Sequence, residues 1–229
     1  MKTLLLRGLF AGALLMGGMA LANAQSAQPS ARATWPADVD KKSGFRLPIP
    51  KREELDEAGQ RAYDRGTAPG ATIAGLQGPA GIQLYSTGSA QYHSGLNNYL
   101  RRQSGISPRI REIAILTTAR EFDSQFEWAA HEPEGLKEGV PPAVVDAIKH
   151  RKALDGLDPK DAIVIAFGRE LWRNHKVSPA TFAKAKETFG DKMLVDIVML
   201  MGNYASTAAL LAAFDMQLHE GTVPMLPVP

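Results

Sequence analysis

Not one of the 229 residues is a cysteine. That absence removes disulfides, thiolate zinc sites, iron–sulfur clusters, thiol nucleophiles and CxxC redox couples together, because each needs a sulfur that can ionise, ligate or be oxidised. Aromatic residues are sparse, at 7%, and nowhere interleave with a basic patch, so a nucleic-acid partner is not expected. Excess charge is missing too: without Lys2 and Arg7 in the first 24 residues, the basic count falls from 26 by two and matches the 24 acidic side chains. No stretch alternates with the period of two that marks a half-buried strand.

What is present is an ordinary globular makeup, 45% hydrophobic and 22% charged, on a chain long enough to bury one real core. Lys2 and Arg7 precede an apolar run at 9–21, which leads into Ala22-Asn23-Ala24. This is the charged start, short apolar centre and A-x-A end of a secretory signal peptide, and it predicts cleavage before Gln25 and a periplasmic or secreted protein. The run is short for a membrane span, which needs about 20 residues, so no membrane contact is expected after cleavage. An uncleaved N-terminal anchor is the alternative.

Residues 25–50 are rich in Ser, Ala and Pro and read as an extended leader. Residues 51–221 read as one helical domain and 222–229 as a Pro-rich tail. Helical composition at 51–65 gives way to a loop at 66–81, punctuated by Gly66, Gly70, Gly75, Gly78, Pro79 and Gly81. Ser107-Pro108, Asp158-Pro159 and Ser178-Pro179 each set a capping residue before a proline at the first helical position. Gly105, Gly139 and Gly190 stand where helices end. A final long helix at 191–217 is apolar nearly all round, which predicts that it threads the middle of the domain or lies under a second subunit. The fold class is all-α.

Candidate chemistry lies in RIREIAILTTAREFDSQFEWAAHEPEGLKEG, 109–139. Glu112 sits in an apolar run, and His131 follows Trp128. In one straight helix their 19-residue separation would be roughly 28 Å. A break near Phe122-Asp123, with Asp123 as an N-cap, would instead fold an antiparallel hairpin and bring both to similar height. On its second arm Ser124, Glu127 and His131 share one face. Duller readings exist for each: Glu112 paired with Arg109 or Arg111 on a surface, His131 a hydrogen-bonded core residue, Ser124 first-turn polar filling, Glu127 a complement to the helix dipole. Glu127, His131 and Glu112 are also a conceivable metal set, but no second His falls within the motif, so no metal and no cofactor are expected. His93, His150, His175 and His219 show no partner spacing and read as surface residues. Trp128, Trp172, Met199 and Met201 read as packing.

The residues Glu112-Ile-Ala-Ile-Leu116, Ala119-Arg120, Glu127-Trp128, His131 and Gly139-Val140 resemble the carboxymuconolactone decarboxylase and alkylhydroperoxidase D superfamily. GPAGIQLYSTG at 78–88 is similar to the loop preceding that core, as are Gly202-Asn203-Tyr204 and Ala213-Phe214 to its later part. The resemblance spans about 78–214. It implies an all-helical fold assembling as a homotrimer or homohexamer, with Glu112 and His131 on the family's Glu and His. The enzyme reading adds Glu127 as a third catalytic group and Ser124, Trp128, Tyr85 and Tyr204 as substrate contacts. Tyr85 stands where many relatives carry a His, and Ser124 and Glu127 occupy the two CxxC cysteine positions of the redox members.

Without those cysteines the thiol peroxidase cycle has no sulfur to pass through sulfenate or disulfide. Acid–base chemistry of decarboxylase, lyase or isomerase type on a small carbonyl or carboxylate compound stays open, with His131 moving the proton and Glu112 fixing its tautomer. The rival expectation is a catalytically silent, oligomeric binding or scaffold protein of the same fold. Purified, metal-free protein is expected to show no dithiol-linked reduction of organic hydroperoxide. Sustained turnover in that assay would refute the exclusion.

Overall fold

The computed structural model describes residues 35–70 and 74–227. The segment read as a signal peptide, 1–24, lies outside them, as do the first residues of the leader and the last two of the tail. The described residues hold eight α-helices and no strand: α1 (Glu57–Thr67), α2 (Pro79–Gln83), α3 (Thr87–Arg102), α4 (Pro108–Glu121), α5 (Gln125–Lys137), α6 (Pro142–Lys149), α7 (Pro159–Asn174) and α8 (Pro179–Ala213).

The cap-then-proline signals act as read. Ser107 accepts a hydrogen bond from the Ile110 N–H, Asp158 from Lys160 and Ser178 from Thr181, and a proline follows each cap. Every residue of α4 from Ile110 to Arg120 is buried, so α4 has no solvent face and forms the axis of the domain. Around it pack α5, α6, α7 and α8. Ile113, Ile115 and Leu116 of α4 meet Trp128, Ile165, Leu200 and Met201 in one core.

The helix at 191–217 was expected to thread the middle of the domain or to lie under a second subunit; α4 has the middle, and α8 leaves Val195 60% and Met199 46% exposed beside Phe182. The apolar face of α8 is wider than one neighbouring layer covers. Gly190, read as a helix end, has φ 73° and ψ 169° and breaks α8 into two arms. Only glycine takes such a conformation without steric cost. The second arm stops at Ala213, before the expected 217, and Asp215 turns the chain at φ 49°. By length and hydropathy α8 would suffice to cross a membrane, a property not foreseen from the sequence. However, 56% of its most apolar stretch is buried within the domain, as in a core helix.

Both flanking segments are strapped to the helices. In the leader Ser43 and Phe45 have no exposure. The Arg46 N–H donates to the Phe214 carbonyl at 2.9 Å and the Gln217 N–H to the Gly44 carbonyl at 2.8 Å. In the tail Leu226 is buried, and the Met225 and Leu226 N–H groups donate to Gln125 Oε1 at 3.0 and 2.9 Å. The stretch 51–65 forms a 3₁₀ turn at Arg52–Glu54 and then α1, whose N-cap is Asp56.

Candidate active site

The site begins with the turn between α4 and α5. Asp123 has φ 49°, the left-handed conformation that Asp tolerates better than most residues. The Ser124 N–H reaches back to the Ala119 carbonyl at 2.8 Å and the Asp123 N–H to Arg120 at 3.2 Å, the double bond pattern of a Schellman closure. The break thus falls where the sequence placed it, but Asp123 closes α4 instead of capping α5. Its carboxylate pairs with Arg120 and Arg151. Ser124 is the N-cap residue of α5, without a side-chain capping bond.

The two arms approach closely at Gly135, where an added Cβ would stand 3.2 Å from Leu116 Cδ1 and 3.5 Å from Glu112 Cβ. This lack of a side chain lets α5 lie against Glu112. Glu112 has no solvent exposure. Its Oε2 is 2.8 Å from His131 Nδ1, and its Oε1 accepts from Arg111 Nε at 2.9 Å and lies 3.6 Å from Arg101 Nη2. Burial by itself would raise the Glu112 carboxyl. The hydrogen bond and charge of His131, then Arg111 and Arg101, outweigh burial and hold it below its ordinary value. Whenever His131 is uncharged, an ionised Glu112 accepts from its Nδ1–H and so leaves the lone pair on Nε2. Arg109, considered as a Glu112 partner, pairs with Asp161 instead.

His131 lines a cavity of about 540 Å³ formed by α3, α5, α8 and the α2 region, within the usual range for small-molecule sites. Glu127, one turn before His131, also lines it. The residue is 3% exposed, neither carboxyl oxygen has a hydrogen-bond partner, and burial pushes its pKa up to about 8 against the lowering effect of the nearby Ser124 hydroxyl. Glu127 is therefore an acid holding its proton near neutrality, beside an imidazole whose partner carboxylate is ionised. Environments that separate two titratable groups in this way suit proton transfer. Tyr204 meets His131 edge-on, with centroids 5.1 Å apart, and its Oη accepts from Arg101 Nη1 at 2.6 Å.

Of the seven residues singled out in the sequence, Glu112, Glu127, His131 and Tyr204 come together. Ser124 is adjacent to Glu127 but is not part of the lining. Trp128 is fully buried in the core with its indole N–H on Glu132, and Tyr85 lies on the surface with its hydroxyl donating to the Pro48 carbonyl at 2.6 Å. Neither lines the cavity, so both depart from the expected substrate contacts. Trp128 points away because its position on α5 faces α4 and α6. Among the described residues no group of three or more His, Asp or Glu side chains is set to hold a metal ion.

The sequence reading missed the opposite wall. His93, read as a surface residue, lines the cavity with Asn97 and Arg101. Its ring nitrogens lie 3.1 Å from Gln83 Nε2 and 3.3 Å from Thr207 Oγ1, and burial lowers its pKa. The missed signal was spacing: His93, Asn97 and Arg101 recur at i, i+4, i+8 on α3, a polar stripe on one helix face.

No family model matches the sequence, and comparison with curated proteins gives no match. Solved structures do match. An alkylhydroperoxidase AhpD core, an uncharacterized peroxidase-related protein from Ralstonia eutropha JMP134, superposes with a TM-score of 0.61 at 18% identity, covering 80% of this chain and 98% of its own. A protein of unknown function from Agrobacterium tumefaciens, described as an antioxidant defence protein AhpD, gives 0.53 at 15% identity, covering 64% and 96%. The fold is AhpD-like. At these identities the likeness is one of architecture. The AhpD-like fold here carries no cysteine, so the peroxidase in the Ralstonia protein's name does not transfer as thiol chemistry.

The Glu127 environment of this AhpD-like domain has a measurable consequence. Between its ordinary value of 4.5 and about 8, the folded chain keeps a proton that the unfolded chain releases, so stability falls as pH rises through that window. Gln keeps the shape and carries no such proton. Relative to the native sequence, Glu127→Gln is expected to gain roughly 2–5 kcal/mol between pH 5 and pH 9, read from urea midpoints. An unchanging gap would show that Glu127 titrates as an ordinary carboxyl.

Proposed function

We propose that this chain is an exported acid–base enzyme of decarboxylase, lyase or isomerase type, acting on a small carbonyl or carboxylate compound without a thiol. One observation carries the reading: a fully buried carboxylate holds His131 Nδ1 at 2.8 Å, while the same imidazole lines a cavity of ligand size beside the unpartnered acid Glu127.

In this mechanism His131 Nε2 takes a proton from the carbon next to a carbonyl, and the C–H electron pair moves onto the carbonyl oxygen to give an enolate. In a decarboxylation the pair comes from the breaking C–C bond as CO₂ leaves, and the protonated imidazole then delivers its proton to that carbon. Glu112 keeps the tautomer and stabilises the imidazolium. Glu127 stands ready to donate to the substrate oxygen. The partner is a small molecule and no resident cofactor is invoked, because imidazole and carboxyl groups alone perform the proton transfers. Export rests on the signal-like residues 1–24.

Self-association, as a homotrimer or homohexamer, belongs to the same proposal. Phe182, Val195, Val198 and Met199 border an apolar groove of about 390 Å³ between the two arms of α8 and α7, a patch that a second copy would remove from water.

In a screen of β-keto and α-substituted carboxylates for CO₂ release or α-proton exchange, His131→Ala is expected to abolish turnover. Glu112→Gln is expected to lower kcat by about 10²- to 10⁴-fold with the fold retained. Turnover indifferent to His131 would refute the role given to that imidazole, and no turnover on any of these compounds would leave the silent binding protein as the better account. Light scattering at micromolar concentration is expected to give a trimer mass or a multiple; a monomer mass refutes the assembly.

A further inference from the structure

The cavity holds more hydrogen-bonding capacity than the His131–Glu112 pair uses, and its arrangement bears on what the substrate is. Tyr204 is 6% exposed and lines the cavity. Its oxygen accepts from Arg101 Nη1 at 2.6 Å, and among the described residues its own hydroxyl proton has no acceptor. Burial above all keeps that phenol protonated, well above the ordinary tyrosine value. A phenol that accepts from a guanidinium is polarised into a stronger donor on its other side. Glu127, buried and with both oxygens unpartnered, is the second donor. It lies one helical turn from His131, and the Tyr204 ring rests edge-on against the same imidazole.

We propose that Tyr204 and Glu127 form an oxyanion pocket for the single ionised oxygen of an enolate or phenolate, so that the substrate class is an enolisable carbonyl compound with a planar body. This deepens the acid–base reading above and rests on it. Phe126, Leu211, Ala130 and Pro79 give the cavity an apolar stretch for that body, and Gln83, His93, Asn97 and Asn203 line it with polar groups. Arg101 also lines the cavity, but its guanidinium is turned to Tyr204 and Glu112, so its charge reaches the ligand through the phenol. Two buried donors on the same cavity, both beside His131, favour an anion that is localised and strongly basic. An unfilled arrangement leaves two buried donors without acceptors, which is the cost a fitting ligand relieves.

The test uses the full chain and 4-nitrophenol as probe, with 4-nitrotoluene as a neutral match. Bound 4-nitrophenol is expected to show the phenolate spectrum at a pH where the free dye is mostly neutral. Tyr204→Phe and Glu127→Leu are each expected to weaken phenolate binding by about 10- to 100-fold, with 4-nitrotoluene affinity changed less than about twofold. Because Tyr204 also holds Arg101, both variants are checked by circular dichroism, and Glu127→Leu decides if Tyr204→Phe loses its fold. Failure of the dye to bind, binding in its neutral form, or a phenolate preference that survives both substitutions overturns the proposal. The dye needs no proton transfer, so the outcome is independent of whether His131→Ala removes turnover, and the two readings fail separately.

Discussion

A carboxylate with no solvent exposure sits in the middle of the central helix, and His131, Arg111 and Arg101 answer for its charge. Breaking such a buried pair by removing one partner typically costs about 3–5 kcal/mol, because the charge left behind has neither water nor counter-ion. The Glu112 position therefore constrains three elements at once: α5 must present His131, α3 must end with Arg101 in reach, and the chain must turn sharply at Asp123. Gly135 adds the close approach of the arms. Much of the local geometry follows from satisfying one buried negative charge.

The same constraint explains why the cavity is chemically divided. On the Glu112 side the carboxylate is ionised and the imidazole oriented. On the other side Glu127 has no cation and no hydrogen-bond donor of proper geometry, so burial keeps its proton in place. Two carboxyl groups on one hairpin thus hold opposite protonation states near neutrality, set by their partners and not by their residue type. Such a division suits proton transfer without sulfur, in a chain of AhpD-like architecture that has no cysteine to oxidise.

Residues meant for packing and residues meant for chemistry sort differently from what local sequence implies. Trp128 and Tyr85 carried the look of ligand contacts by their place beside the motif, yet Trp128 faces the core and Tyr85 the surface. His93 looked isolated and faces the cavity, because α3 turns its polar stripe inward against α8. Likewise the most apolar long helix is not the most buried one. Burial depends on how many neighbours surround a helix, and α4, with Arg111, Glu112 and Arg120 along it, is surrounded on every side.

By itself the sequence determined the helical class, the cap-and-proline starts of α4, α7 and α8, the break before Ser124, the shared face of Glu127 and His131, and the exclusion of thiol chemistry. These are properties of adjacent residues, set by backbone dihedrals, side-chain capping and helical period, all acting within a few positions of the chain. The tertiary structure decided that Glu112 reaches His131 while Arg109 turns to Asp161, that Arg101 and His93 belong to the site, that Glu127 is left without a partner, and that α4 takes the centre. Those outcomes depend on which helix faces meet across long stretches of chain, where desolvation and pairing of buried groups, not local propensity, select the arrangement.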